Sequence, residues 1–279
     1  MGSKFAGVSP IDTVPPGLQT SAPMKSMINL LALATLSFAA ALLAQPNTSA
    51  VAATAGEYRL NVATVPVART GGITNRQALV LQRAKDAPGE YDVEFIGDSI
   101  TQGWEGVGKN VWAKLGEKYK VINFGVGGDR TEHVLWRFEQ GQLTGIKAKA
   151  AVVMIGTNNS NKNRDGSDQY SELDIVEGVT AIVNQIRTRQ SETKIILCAI
   201  FPRSPGFSAQ RGRLCQINQA LAKLDDGKNI FFLDFGAQFI EKDGTLPKSI
   251  MPDALHPNEA GYKIWAAAIE PKLKEIVGK

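Results

Sequence analysis

The chain has 279 residues, of which 43% are hydrophobic and 21% are charged, and its formal net charge at pH 7 is +4. This composition can supply one substantial hydrophobic core, and it excludes a fibrous or wholly disordered chain. Positive charges are not gathered into the basic stripe that follows a nucleic-acid backbone. We therefore expect a globular protein that does not bind nucleic acid.

The N-terminal part of the chain differs in composition from the remainder. An apolar run of about fifteen residues, 30–44, follows a lysine and is followed by small residues. A membrane-spanning helix needs about 20 apolar residues, so the run matches a secretory signal peptide better. We predict a leader over 1–55, with a signal peptide over 24–44 and a low-complexity segment, and one folded domain over 56–279. The protein is then secreted or periplasmic; an uncleaved leader that anchors it to a membrane is the alternative.

Apolar runs alternate with amphipathic segments through the rest of the chain. The runs are short and rich in Val, Ile, Leu and Phe, as in parallel strands that are covered on both faces. In segments 173–190 and 258–277 apolar residues recur at helical spacing, and Pro271 should bend or divide the second segment. The pattern predicts an α/β fold, a three-layer sandwich around a five-stranded parallel sheet. The predicted strands are Asp92–Ile96, Lys120–Phe124, Ala150–Ile155, Lys194–Ile200 and Ile230–Phe235.

Small and polar residues follow directly after four of the predicted strands. In an open parallel sheet, ligands bind beyond the carboxyl ends of the strands. These positions are therefore where we expect a functional site. The four segments are Gly97-Asp98-Ser99, GVGGDR from Gly125, GTNNSN from Gly156 and PRSPG from Pro202.

One of the two histidines can complete a serine-based site. A serine nucleophile needs a base, a group that orients the base, and donors for the oxyanion. His256 follows Asp253 by three residues in a loop, so the carboxylate can bind one ring nitrogen while the other faces a serine. An ordinary histidine before a helix has the same pattern. His133 lies in the first turns of a helix whose capping box we assign to Asp129 and Glu132, so we interpret it as structural.

Candidate oxyanion donors also lie at the strand ends. Gly127 and Gly128 come directly before a helix start, where backbone amides point outward, and a tight turn would explain them equally well. The side chain of Asn158 follows the third predicted strand and can add a further donor.

Other chemistries lack their motifs in this sequence. In segment 125–130 an arginine stands where a dinucleotide-binding loop has its third glycine, and Ser99 is not within G-x-S-x-G. No metal-binding motif occurs, so we predict neither a metal nor a cofactor. Cys198 and Cys215 could pair in an oxidising compartment, but we expect two buried, unpaired thiols.

Taken together, four segments resemble the conserved blocks of the SGNH, or GDSL, hydrolase superfamily. They are Gly97-Asp98-Ser99-Ile100, the GGD that contains Gly128, the GTNN that contains Asn158, and Asp253-x-x-His256. The stretches INFGVGGDRTEHVLWRFEQGQL and AVVMIGTNN are similar to the catalytic subunits of intracellular platelet-activating-factor acetylhydrolase. The resemblance covers about 92–277 and implies the flavodoxin-like SGNH hydrolase fold.

The resemblance also implies roles for individual residues. Ser99 would be the nucleophile, His256 the general base and Asp253 its orienting partner. The backbone amides of Ser99 and Gly128 and the side chain of Asn158 would form the oxyanion hole. Two further residues are informative. Asp98 would then only shape the loop. The wider superfamily usually has Asp at the position of Asn159, whereas the acetylhydrolase branch has Asn there, as this chain does.

The sequence thus predicts a carboxylic ester hydrolase that removes a short acyl group, most simply acetyl, through an acyl-enzyme. Ile100 and Leu255 flank Ser99 and His256, and we expect them to line the acyl pocket. Export favours a glycan ester over a phospholipid as substrate. The alternatives are an O-acyltransferase acting on glycans, a phospholipid acetylhydrolase or lysophospholipase-type lipase, and a non-catalytic glycan-binding module. The resemblance suggests a homodimer. After cleavage of the predicted signal peptide we expect no stable insertion into a membrane.

Overall fold

A sheet of five parallel strands forms the centre of the computed structural model, which describes residues 60–69, 72 and 74–279. The predicted leader, 1–55, lies outside the described residues. The strands are β1 (Gly89–Gly97), β2 (Val121–Gly125), β3 (Ile146–Met154), β4 (Lys194–Cys198) and β5 (Ile230–Leu233). Their order is β2-β1-β3-β4-β5, so the winding direction reverses between β1 and β3. In such sheets the ligand crevice lies at this reversal.

Helices cover both faces of the sheet, which confirms the predicted three-layer α/β architecture. Buried side chains of α3 and α7 pack on one face, and those of α4, α5 and α6 pack on the other. The described helices are α1 (Asn75–Asp86), α2 (Ser99–Gln102), α3 (Lys109–Lys118), α4 (Thr131–Glu139), α5 (Glu172–Arg189), α6 (Ala209–Leu221) and α7 (Glu259–Val277).

Alternation along the strands builds the two halves of the core. Phe95 of β1 pairs with Val152 of β3, and both point toward α7, whereas the next pair, Ile96 with Val153, points toward α5. All four side chains are buried. Because both faces of the sheet are covered, the strands read as continuous apolar runs rather than as alternating ones.

Several predicted element bounds need correction: β1 begins at Gly89 rather than Asp92, β4 ends at Cys198 rather than Ile200, and β5 ends at Leu233 rather than Phe235. β3 begins at Ile146 rather than Ala150. Lys147 and Lys149 interrupt the apolar run in the sequence, but both point outward between buried neighbours and belong to the strand. Lys149 binds Asp92 of β1 at 3.0 Å, so a charged residue is accommodated in the strand. Helix α7 is continuous through Pro271, so the expected division is wrong. Its buried stripe continues on both sides of the proline, and packing against the sheet holds both halves together.

Neither cysteine forms a disulfide. Cys198 is buried in β4, as expected, but Cys215 lies on the exposed side of α6, which corrects the expectation of two buried thiols. Burial raises the pKa of the Cys198 thiol to about 12, so this thiol is inert at neutral pH. None of the helices in the described residues is long and apolar enough to cross a membrane.

Glu94 is a carboxyl group in the middle of β1 and is completely buried. Neither of its oxygens has a hydrogen-bond partner among the described residues. Burial raises its pKa from 4.5 to about 8. The folded protein therefore holds a proton on Glu94 at neutral pH that the unfolded chain has released.

Replacement of the Glu94 carboxyl group should raise the free energy of unfolding by an amount that increases with pH. Between pH 4.5 and 8 the native state binds the extra proton, so the free energy of unfolding falls as pH rises. The slope reaches at most about 1.4 kcal/mol per pH unit. Glu94→Gln removes this term, so urea unfolding should show the variant gaining on the wild type from pH 5 to pH 8.

The matched control is Glu90→Gln, because Glu90 lies in the same strand but is exposed. Its stability difference from the wild type should stay flat over the same pH range. A Glu94→Gln difference that is equally flat would contradict the buried, protonated carboxyl.

Candidate active site

Ser99 is the first residue of α2, and this helix begins directly at the end of β1. Asp98 caps the helix, since its Oδ1 accepts a hydrogen bond from the Ile100 N–H at 2.9 Å. Gly97 is needed for this sharp turn. A Cβ at its position would lie 2.2 Å from Thr101 Oγ1 and 2.3 Å from the carbonyl oxygen of Met154. The serine is therefore presented at the carboxyl edge of the sheet by a tightly packed strand-to-helix junction.

Asp98 is buried beneath this junction, in keeping with the structural role that we predicted for it. Its side chain is fully inaccessible, and its Oδ2 has no hydrogen-bond partner among the described residues. Burial raises its pKa to about 7, and the nearby Asp129 adds to this effect while Arg203 opposes it. The carboxyl group shapes the loop beneath the serine and has no exposed surface to offer a ligand.

The structure brings Ser99, His256 and Asp253 into one hydrogen-bonded chain. Ser99 Oγ lies 2.9 Å from His256 Nε2, and His256 Nδ1 lies 2.6 Å from Asp253 Oδ2. A carboxylate can only accept, so the imidazole carries its proton on Nδ1 and its Nε2 accepts from the serine hydroxyl. This is the arrangement in which a histidine can take the proton of a serine.

Asp253 is held by its own loop as well as by the histidine ring. Its Oδ1 accepts from the N–H groups of Leu255 and His256, at 3.0 and 2.7 Å. Partial burial raises the pKa of Asp253, but the hydrogen bonds from His256 outweigh burial, so the pKa lies below its usual value. The carboxylate is thus ionised at neutral pH and fixed relative to the ring, although its side chain is 55% exposed.

A neighbouring loop clamps the segment that carries these two residues. Ser204 and Ala254 have φ angles of 75° and 56°, and no other non-glycine residue in the described part of the chain has a positive φ. The N–H of Ser204 donates to the carbonyl oxygen of Ala254 at 2.9 Å. Arg211 of α6 in turn donates to the carbonyl oxygens of Arg203 and Ser204. The strained backbone at Ala254 is therefore held from outside its own loop.

Arg203, in the same neighbouring loop, reaches toward the Asn158 segment. Its Nη1 donates to the carbonyl oxygen of Thr157 and to Asn161 Oδ1, both at 3.0 Å. The PRSPG segment that follows β4 thus contacts both the histidine side and the amide side of the site. The sequence indicated a strand-end loop here but gave no role to Arg203 or Ser204.

The opposite side of the site depends on Asp129. Its carboxylate pairs with Arg137 at 2.9 Å, and both side chains are completely inaccessible to solvent. Burial raises the pKa of Asp129 and lowers that of Arg137, in each case against the attraction between them. The carbonyl oxygen of Asp129 also accepts from Asn158 Nδ2 at 2.8 Å. One residue therefore ties the glycine turn to the amide side chain.

Gly128 has the left-handed backbone that the turn before Asp129 requires, with φ of 76°. Arg69 lies directly over this turn and donates from Nη1 to the Gly127 carbonyl oxygen at 2.5 Å. The N–H of Gly127 is already bonded to Gln102 Oε1, at 2.7 Å. Of the two glycines, Gly128 is therefore the one whose amide can serve an oxyanion.

The capping box of α4 differs from the prediction. The helix begins at Thr131 with Arg130 as its N-cap, and His133 Nδ1 accepts from the Arg130 N–H at 3.0 Å. Asp129 is not the cap because its carboxylate is committed to the buried ion pair. The assignment of Asp129 and Glu132 was therefore wrong, although His133 does have a structural contact.

The contacts of Asn159 explain why this chain has Asn where the wider superfamily usually has Asp. It is completely buried, and its Nδ2 donates to Glu132 Oε2 and Thr131 Oγ1, both at 3.1 Å, while its Oδ1 accepts from the Thr131 N–H. An aspartate at this position would place its carboxylate against that of Glu132 without a donor between them.

The two residues expected to line an acyl pocket behave differently. Ile100 is 1% exposed and packs in the core cluster with Trp104, while its carbonyl oxygen accepts from the Tyr262 hydroxyl at 2.6 Å. Its side chain therefore offers no surface to a ligand, contrary to the expectation. Leu255 is half-buried beside His256, and its place in an acyl pocket stays a prediction.

Comparison with known proteins gives the family. Residues 95–264 match the model of the GDSL-like lipase/acylhydrolase family. The chain belongs to this family. It is 36% identical over 189 residues to the platelet-activating factor acetylhydrolase IB subunit alpha2 of Homo sapiens, covering 67% of this chain and 76% of the relative. The human alpha1 subunit is 32% identical over 191 residues, which cover 68% and 78% of the two chains. The protein is therefore a carboxylic ester hydrolase of the GDSL acylhydrolase family.

Solved structures share the fold of this GDSL hydrolase. A GDSL-like lipase from Bacteroides thetaiotaomicron superposes with a TM-score of 0.58 at 20% identity, over 72% of this chain and 98% of that one. An acetylxylan esterase from Geobacillus stearothermophilus superposes with a TM-score of 0.52, also at 20% identity, over 66% and 93% of the chains. The predicted SGNH hydrolase fold is thus confirmed.

Proposed function

We propose that this GDSL hydrolase is a serine esterase that removes acetyl groups from a polar alcohol, with Ser99 as nucleophile. The contact that carries the proposal is the 2.9 Å approach of Ser99 Oγ to His256 Nε2. It joins a hydroxyl at a strand end to a base whose other nitrogen is already held by Asp253. This arrangement supports proton transfer from the hydroxyl as it attacks an ester carbonyl.

The reaction would proceed in two steps. In the first, Ser99 Oγ bonds to the carbonyl carbon, His256 takes the serine proton and returns it to the departing alcohol, and the acyl group stays on Ser99. In the second, His256 takes a proton from water, the water oxygen attacks the acyl-enzyme, and the carboxylic acid leaves as Ser99 regains its proton. Asp253 would stabilise the imidazolium that exists between these transfers without taking its proton.

Three donors are suited to the negative charge that develops on the carbonyl oxygen. We assign the backbone amides of Ser99 and Gly128 and the side-chain amide of Asn158 to this oxyanion hole. Asn158 Nδ2 bonds to Asp129, which fixes the amide plane and leaves its second N–H for the substrate. Each such donor lowers the barrier by roughly 3 to 4 kcal/mol.

The surroundings of Ser99 favour a small acyl group and a polar alcohol. A cleft of about 430 Å³ beside Ser99 is lined mainly by glycines and by the polar side chains of Gln102, Arg76 and Glu105. Arg76 and Glu105 form an ion pair at 2.7 Å within it. A long acyl chain would find no continuous apolar wall here. The acetylhydrolase and acetylxylan esterase names of the similar proteins agree with acetyl as the group removed.

A phospholipid acetyl ester is the second candidate, favoured by the 36% identity to platelet-activating factor acetylhydrolase subunits. The polar cleft supports a glycan-type alcohol instead. Transfer of the acyl group to a glycan hydroxyl would use the same acyl-enzyme and differs only in what replaces water. Export by the predicted signal peptide and a homodimer stay predictions.

Substitution of the three central residues tests the mechanism. Ser99→Ala and His256→Ala should each lower kcat on p-nitrophenyl acetate by about five to six orders of magnitude, since each removes a reacting group. Asp253→Ala should cost about one to two orders less, because it only orients the base. Asp226→Ala is the matched control: Asp226 accepts from the N–H groups of Lys228 and Asn229 in an exposed turn before β5, at the opposite edge of the sheet from the site, and its loss should leave kcat unchanged. Full activity of Ser99→Ala would eliminate the mechanism.

A chain-length series tests the size of the acyl group. Rates on p-nitrophenyl acetate, butyrate, octanoate and decanoate should fall steeply after the shortest members, because the cleft lacks an apolar wall. Equal kcat/KM values for acetyl and decanoyl esters would rule out the short-acyl assignment while leaving the serine mechanism intact.

A further inference from the structure

A second cleft opens beside the oxyanion side of the site. It encloses about 290 Å³ and reaches Gly128 and Asn158, so it adjoins the reacting centre without including Ser99. Its remaining lining residues are Arg69, Arg130, His133, Asn161 and Gln169. No carboxylate and no large apolar side chain is among these lining residues of the described chain.

Besides Asn158, the cleft has two amide side chains, Asn161 and Gln169, whose nitrogens are available to a ligand in the cleft. Asn161 Oδ1 accepts from Arg203 Nη1 at 3.0 Å, and Gln169 Oε1 accepts from Arg130 Nη1 at 3.2 Å. Each bond occupies the amide oxygen and leaves the NH2 group to donate. The same holds for Asn158, whose amide nitrogen already donates to Asp129 and has a second N–H.

His133 is a donor as well. Its Nδ1 accepts from the Arg130 N–H, so this nitrogen carries no proton. Burial lowers the pKa of His133 to about 4, with Arg130 and Arg69 adding to the effect, so the ring is neutral at pH 7. The proton of the neutral ring is therefore on Nε2, which can only donate.

The two arginines of the cleft, Arg69 and Arg130, are each paired with a buried carboxylate on the side that faces the core. Arg69 lies 3.5 Å from Asp129 Oδ1, and Arg130 Nε lies 2.9 Å from Glu132 Oε1. Both carboxylates are buried, whereas the arginine side chains are 25% and 30% exposed. The cations thus face the cleft and the anions face the core. Every side chain that lines the cleft has a donor to offer, and two of them are cationic.

We propose that this cleft binds an acidic sugar unit of the alcohol half of the substrate, with its carboxylate held by Arg69 and Arg130. The inference rests on the proposed esterase function and names the class of ester. A carboxylate matches the planar fork of an arginine, and ring and hydroxyl oxygens can accept from the three amides. The lack of apolar lining favours an acetylated acidic glycan over a phospholipid.

Two small esters that are acetylated at the same hydroxyl and differ only at C6 of the sugar, a carboxylate in one and a hydroxymethyl group in the other, test the proposal. We would measure kcat/KM for an acetylated methyl glucuronoside and for the same acetylated methyl glucoside, with acetate release as the readout. The wild type should prefer the acid by about tenfold or more, as expected for one charge-assisted hydrogen bond. Added salt should reduce this ratio, because part of it is attraction between exposed charges.

Two variants should change the ratio in different ways. Arg130→Gln should lower the ratio several-fold, with Arg69 keeping the remainder, and Gln169→Glu, which adds a negative acceptor to the cleft, should favour the neutral glucoside. Arg187→Gln is the control, since Arg187 also binds backbone carbonyls, of Ser191 and Thr193, far from the cleft in sequence and fold; it should keep the wild-type ratio.

A wild-type ratio of one, or a ratio that Gln169→Glu leaves unchanged, would overturn the acidic-sugar site. Faster release of acetate from O-acetylglycerol 3-phosphate than from the glucuronoside would overturn it in favour of a phosphate ester. Turnover of p-nitrophenyl acetate is measured alongside, so loss of the esterase function itself would appear as inactivity on all substrates and is distinguishable.

Discussion

Asp129 and Arg137 form an ion pair with no exposed surface, next to the carboxyl ends of β1 and β2. Arg137 Nη2 lies 3.5 Å from the Gly97 carbonyl oxygen, and the N–H of Val126 donates to that same oxygen. The Asp129 carbonyl oxygen receives Asn158 Nδ2. The strand ends, the glycine turn and the Asn158 side chain are thus joined through Asp129 and Arg137, by their buried ion pair and by the backbone carbonyl of Asp129. Since two buried charges cost several kcal/mol to desolvate, the pair fixes geometry more than it adds stability.

The two sides of the site are built on different physical principles. The side that carries Gly128 and Asn158 is braced from beneath by the buried Asp129–Arg137 pair, whereas the Ser99–His256 side ends in an exposed carboxylate, Asp253, held by hydrogen bonds within its own turn. Donors that are held in place in advance need no reorganisation as charge develops in a reaction. A base that exchanges protons with water can lie closer to solvent. The loop with Arg203 and Ser204 contacts both sides and fixes the separation between them.

Much of this arrangement could be predicted from the sequence because it depends on chain order. Five apolar runs alternating with helical patterns specify a parallel sheet, and the carboxyl-end rule then selects Ser99 and Asn158 as neighbours, while His256 is found from its spacing to Asp253. Ile100 shows the limit of this reasoning. It is adjacent to Ser99 in sequence, but successive helix residues point about 100° apart, so its side chain enters the core. No role was predicted for Arg69, Arg130 and Arg203, because contacts such as those with the Gly127 carbonyl, the Gln169 side chain and the Thr157 carbonyl are made only by the fold.

The most direct test of the buried ion pair is urea unfolding of Asp129→Asn and of the double variant Asp129→Asn/Arg137→Met. The single variant keeps the shape of the side chain but leaves Arg137 buried without its counter-charge, which costs about 3 to 5 kcal/mol. The double variant removes both charges and should recover part of that loss. An Asp129→Asn protein that unfolds at the wild-type urea midpoint would contradict the central place given to this pair.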